Sequence, residues 1–191
     1  MSPFESSIDL AGSGRGRMHL RRFLGGLLGV SGLLAGIAAA QRTAPPAETR
    51  RLAFYVGRWS EAGQMRADPS QPFASISGGE ECRWTAGGYA VLCEEKTTGA
   101  GGGWEGVYIL SYDAAAKQYD VYGTEKPGSH MHAAGRVDGD RWVWLTDPAP
   151  DGSRLRYTFT PAGRGARTMT VDAGAGDSWA SIVNIRYTRR P

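Results

Sequence analysis

The sequence predicts an all-β fold: an antiparallel, up-and-down barrel of about ten strands, preceded by a short N-terminal helix. Three observations carry this reading. Short segments of alternating apolar and polar residues follow one another at regular spacing, with Gly, Asp and Pro between them. Glycine is abundant, at 28 of 191 residues, and aromatics make up 10% of the chain, as many short strands joined by tight turns require. No long helical pattern interrupts the series. Ten antiparallel strands need their edges hidden, and closure into a barrel hides all of them. A β-sandwich is the rival arrangement.

The first element is a leader, residues 1–40. Arg21-Arg22 precedes Phe23 to Ala40, a run of 18 uncharged residues ending Ala38-Ala39-Ala40. A basic start, an apolar stretch and an Ala-x-Ala end describe a secretory signal peptide, with cleavage expected after Ala40. The alternative is an uncleaved anchor, since 18 apolar residues just span a bilayer. Residues 1–17 are polar, and Met18 opens a leader of ordinary shape, which makes it a candidate true start. Export predicts a periplasmic or secreted protein with no stable membrane insertion after cleavage. The first 40 residues hold four arginines against Glu5 and Asp9, so the 22 basic and 19 acidic residues of the chain become 18 and 17 without them. A near-neutral mature chain lacks the clustered positive charge of a nucleic-acid-binding surface.

Residues 41–50 form a Pro/Ala linker, and the barrel domain is expected over 51–191. Pro45-Pro46 followed by helix formers predicts a short helix around Ala47 to Phe54, because Pro is welcome in a first turn. The first strand is Trp59 to Arg66. Ser75 to Trp84 and Tyr89 to Thr97 form a hairpin around Gly87-Gly88, a dipeptide whose positions both tolerate positive φ. That register sets Cys82 directly opposite Cys93, within disulfide reach, as a hydrogen-bonded pair; an exported chain would oxidise them. The spacing is not Cys-x-x-Cys, so a redox-active pair is the weaker alternative.

Trp104 to Tyr112 alternates, with Trp104, Gly106, Tyr108 and Leu110 on one face. Gln118 to Thr124, His130 to Val137, Arg141 to Thr146, Leu155 to Thr160, Arg167 to Asp172 and Ser178 to Thr188 complete the series. Asp138-Gly139-Asp140 is a hairpin signal. In the last strand Trp179, Ser181, Val183, Ile185 and Tyr187 share a face by simple alternation.

Leu52-x-x-x-Val56-Gly57-x-Trp59, the Gly87-Gly88-Tyr89 turn, Trp104-Glu105-Gly106-x-x-x-Leu110-x-Tyr112-Asp113, Tyr119-x-x-x-Gly123 and Tyr187-Thr188-Arg189 together resemble the bacterial DUF1579 family of lipocalin-like proteins of unknown function, over about residues 50–190. The resemblance implies a lipocalin-like, calycin-type barrel with no established activity. More distantly the chain resembles the nitrobindin group of haem barrels: Gly57, Trp59 and Gly63 match its Gly-x-Trp-x-Gly-x-Gly signature, with Glu61 in place of the middle glycine. That group ligates haem through a late histidine, and no histidine follows His132, so the sequence calls for no cofactor.

A ten-strand barrel is wide enough to hold a ligand cavity. The candidate lumen residues are Trp59, Trp84, Trp104, Tyr108, His130, His132, Trp142, Trp144 and Trp179, with Arg141 or Glu105 as polar groups that could orient a ligand. Bland alternatives stand beside them. Tryptophans on strands fill cores, and a His-x-His pair on a strand is usually a solvated face; as metal ligands the two imidazoles would need a third group such as Glu125 or Asp147. No phosphate loop, nucleotide fingerprint or hydrolase elbow is present. The sequence therefore predicts a barrel that binds a small apolar or amphipathic molecule. Its alternatives are a small hydrolase or isomerase using His130 or His132, and a ligand-free envelope interaction module.

Overall fold

The computed structural model describes residues 44–100 and 102–191. The expected leader, its cleavage point and the first residues of the linker lie outside the described residues. The chain enters through one turn of helix, α1 (Ala47–Arg51), which tightens into a 3-10 turn over Leu52–Phe54. Thr49, Leu52 and Tyr55 are buried there and plug one end of the barrel.

Ten strands follow: β1 (Gly57–Met65), β2 (Ala74–Thr85), β3 (Ala90–Gly99), β4 (Gly102–Asp113), β5 (Gln118–Glu125), β6 (Ser129–Asp138), β7 (Arg141–Thr146), β8 (Arg154–Pro161), β9 (Ala166–Ala175) and β10 (Ser178–Arg189). Each pairs antiparallel with its neighbours in sequence, and β1 pairs with β10 to close the ring. Every strand thus has two partners, the closed arrangement rather than the sandwich. Among the described residues no helix is long and apolar enough to cross a membrane.

Cys82 and Cys93 are opposed in the β2–β3 ladder and disulfide-bonded, with Cα atoms 4.0 Å apart. That is the close spacing of a pair without mutual hydrogen bonds (roughly 4.5 Å against 5.5 Å), not the hydrogen-bonded pair that a two-residue turn implies. The cause is a wider tip. The ladder ends at Thr85 and Ala90, and Ala86, Gly87 and Gly88 all take positive φ.

Two of the wall glycines make room for large aromatic rings. Gly123 lies opposite Tyr108, and a Cβ there would stand 2.4 Å from the tyrosine ring. Gly135 lies opposite Trp144, and a Cβ would again stand 2.4 Å from the ring. Both large rings lie flat against bare backbone, which leaves open space at the barrel axis.

Strand β10 departs from simple alternation. Its register against β9 shifts between Ser181 and Val183. Val183, Ile185 and Tyr187 point inward and are buried. Trp179 and Ser181, on the other side of the bulge, share the outer face of Asp172. A bulge adds one residue and so inverts every side chain beyond it.

Candidate functional site

The barrel encloses a cavity of about 320 Å³. The plug supplies its floor through Tyr55, and the walls are chiefly apolar and aromatic: Trp104, Tyr108, Met131, Trp144, Tyr157 and Met169 among others. Tyr55 is locked in place. Its hydroxyl accepts a 2.8 Å hydrogen bond from Trp144 Nε1, and its backbone oxygen accepts one of 2.8 Å from Trp59 Nε1.

Acidic residues interrupt this apolar wall. The ladder registers run Trp59, Glu80, Glu95, Gly106, Glu125 across β1 to β5, all on the inner face. Glu80, Glu95 and Glu125 line the cavity. Glu61 lies one inward position along β1 from Trp59 and is 4% exposed. Glu80 and Glu95 are directly opposed, a like-charge pairing that destabilises a sheet.

Among the described residues one buried cation answers this charge. Arg167 on β9 is 0% exposed and ion-pairs with Glu80. Its guanidinium lies 4.3 Å from the Trp59 ring centroid and 4.7 Å from that of Tyr187, with Tyr55, Phe54 and Phe159 also around it. It also donates to the backbone oxygens of Phe54 and Tyr55, tying the plug to the barrel. Aromatic faces and a desolvated carboxylate together hold a buried guanidinium.

The other carboxyls meet neutral donors only, among the described residues. Thr97 Oγ1 donates to Glu61 at 3.0 Å, Tyr187 Oη to Glu95 at 3.2 Å and Tyr108 Oη to Glu125 at 2.6 Å. Glu61 Oε1 is buried and accepts from no fixed donor. The Glu95 carboxyl lies within hydrogen-bonding reach of Glu61, and two carboxyls can bond only if one keeps its proton. Burial, helped by the nearby Glu80 charge, pushes Glu61 up to about 7. Burial and the charges of Glu61 and Glu80 push Glu95 well above the usual carboxylate range. Burial and the charges of Glu95 and Glu125 likewise raise the Tyr108 hydroxyl.

The expected lumen residues fall into three groups. Trp104, Tyr108 and Trp144 line the cavity. Trp59 and Trp142 point inward but are buried in packing, Trp59 against Arg167 and Trp142 stacked 6.0 Å from Trp144. Trp84 is 38% exposed beyond the end of the barrel core.

The remaining three face outward. Trp179 lies beyond the bulge, with the Arg156 guanidinium 4.4 Å from its ring centroid. His130 and His132 alternate with Met131 and Ala133, which point inward, so both imidazoles stand on the outer surface. His132 stacks on Tyr122, and its Nδ1 and Nε2 lie 2.9 Å from Asp147 and 3.3 Å from Asp120. The bond to Asp147, joined by that to Asp120, raises its pKa. An imidazole flanked by two carboxylates is an ion pair, with no nitrogen left to act as a base. Arg141 and Glu105 are also outside, paired with Asp138 and with Lys96 and Lys126.

Sequence reading missed Arg167 and placed none of the four interior glutamates in the lumen, although it named Glu125 as a possible third metal ligand beside the histidines. A signal was present: each glutamate sits two or four residues from an inward apolar residue of its own strand, as in Trp59/Glu61, Glu80/Cys82, Cys93/Glu95 and Val121/Glu125.

The chain matches, over residues 44–189, the family described as "Protein of unknown function (DUF1579)", and it belongs to that family. No curated protein matches the sequence. Among solved structures, the S-type phycobiliprotein lyase CPES from Guillardia theta is similar, with a TM-score of 0.52 at 10% identity over 75% of this chain and 93% of that one. At that identity the likeness is one of fold.

Proposed function

We propose that this DUF1579 member is an exported binding protein that holds a small apolar or amphipathic molecule inside its barrel. The observation that carries the reading is the cavity: about 320 Å³, with a largely apolar wall and a few convergent polar groups. Ligand pockets have this composition and run from roughly 300 to 1,000 Å³, so the occupant is small. A barrel evolved only as a rigid module would fill that space, since unfilled apolar volume costs stability. Export is supported by the sequence of the leader and by the Cys82–Cys93 disulfide, a bond that persists in oxidising compartments. A catalytic reading has less support, because both histidines lie outside the cavity and His132 is held by two carboxylates.

The test is native mass spectrometry of protein purified from the periplasm of its own host without denaturation. A co-purifying small molecule and an N-terminus at Gln41 are the expected results. A bare polypeptide that also takes up no apolar probe would favour an interaction module. A retained leader would favour a membrane-tethered barrel.

A further inference from the structure

The interior holds more carboxyl groups than packing explains. Among the described residues four carboxyls, Glu61, Glu80, Glu95 and Glu125, face inward from β1, β2, β3 and β5, and one buried cation, Arg167, is committed to Glu80. Buried charges are normally paired, and a wall that needed only to pack would use apolar residues at these positions. Glu95 and Glu125 flank Gly106 in register, the Tyr108 hydroxyl lies over that glycine and donates to Glu125, and both carboxyls reach the cavity. Around them the donors are neutral: the Tyr187 and Tyr108 hydroxyls and the Trp104 indole. Glu61, buried behind Glu95, has an oxygen that no fixed donor reaches.

We infer that the occupant of the lumen carries a protonated amine, which pairs with the carboxylates of Glu95 and Glu125 while its apolar body lies against Trp104, Tyr157 and Met131. This rests on the reading of the barrel as a binding protein and names the chemical class it takes. The ammonium supplies a second cation beside Arg167, and the tyrosine hydroxyls fix the carboxylates that receive it. Arg167 cannot fill this role, because five aromatic rings and Glu80 enclose it.

Binding of the cation is coupled to loss of a proton. The groups facing the site are Glu61, Glu80, Glu95 and Glu125, Tyr55, Tyr108, Tyr157 and Tyr187, and Arg167. Among them burial pushes Glu61 up to about 7 and shifts Glu95 in the same direction, so the pair retains a proton. An ammonium ion placed beside Glu95 favours the carboxylate and expels that proton. Amine affinity therefore rises with pH until the amine itself deprotonates.

Isothermal titration calorimetry of the full chain with three probes of one shape tests this: 2-(1-naphthyl)ethylamine, 2-(1-naphthyl)ethanol and 1-naphthylacetate. The amine is expected to bind about tenfold or more tightly than the alcohol, as one added charge-assisted bond implies, with the acid weakest. Its binding heat should vary with buffer ionisation enthalpy in the sense of proton release. Glu95→Gln and, separately, Glu125→Gln should each reduce the preference for amine over alcohol. Equal binding of amine and alcohol, or tighter binding of the acid, overturns the cationic assignment and leaves the binding-protein reading standing. No binding of any probe overturns both.

Discussion

Arg167 and Glu80 form an ion pair inside the barrel, at 0% and 6% exposure, although 87 residues separate them in the chain. The pair lies beneath the N-terminal plug, and Arg167 also holds the backbone oxygens of Phe54 and Tyr55. Removing the guanidinium strands a buried carboxylate and frees the plug. Arg167→Met should cost about 3–5 kcal/mol, the range for breaking a buried pair. The double change Arg167→Met with Glu80→Gln should recover part of that loss. Urea unfolding followed by tryptophan fluorescence measures both, and equal losses in the single and double variants would show that the pair is not the source.

Glu61 gives stability a pH dependence. Its folded pKa of about 7 lies above its ordinary value of 4.5, so the native state keeps a proton that the unfolded chain has released. The associated stability is complete below 4.5 and disappears as pH rises through 7. Glu95 shifts in the same direction. The protein should be more stable at pH 5 than at pH 8 by about 3 kcal/mol, from about 1.4 kcal/mol per pKa unit. Glu61→Gln should flatten that slope. Calorimetric Tm values across this range check it; a Tm that climbs from pH 5 to 8 would contradict the assignment.

The disulfide is buried, with Cys82 at 3% and Cys93 at 1% exposure. A thiol reductant must meet the sulfurs to exchange with them, so the native bond should resist dithiothreitol and yield only in denaturant. The closed loop is short, with the cysteines 11 residues apart, so losing the bond in Cys82→Ala/Cys93→Ala should cost about 2–3 kcal/mol. Thiol titration with and without urea, and unfolding of the double variant, test these statements.

Tyr55→Phe removes the acceptor for Trp144 Nε1 while leaving the ring that packs against Trp142 and Phe159. The indole N–H is then buried without its partner, at a cost of about 1–3 kcal/mol. The change also alters the cavity floor, so the tryptophan emission maximum should shift. A neutral effect on stability would mean that another group replaces the hydroxyl.

Much of the architecture was legible in the chain because it is encoded locally. Alternation marked the ten strands, and turn chemistry marked the β2–β3 and β6–β7 hairpins. The opposition of Cys82 and Cys93 followed from counting outward from Gly87-Gly88, and even the wider tip preserved it. The site was legible only in part. Trp104, Tyr108 and Trp144 lie on strands whose apolar side is unmistakable. On β6, His130, Met131, His132 and Ala133 offer no clear apolar face, so the sequence alone could not say which side turns inward.

By itself the sequence determined an all-β chain, its strands, its short N-terminal helix and the partners of its two cysteines, because each depends on residues near one another in the chain. Closure of the ring decided the rest. It turned Met131 inward and both histidines outward, and the bulge in β10 put Trp179 outside. It also brought Glu61, Glu80, Glu95, Glu125 and Arg167 from five strands into one interior. Inside and outside are properties of the closed surface, and a one-residue shift in any strand exchanges them. Local pattern therefore wrote the wall of this barrel, and tertiary closure wrote the charge inside it.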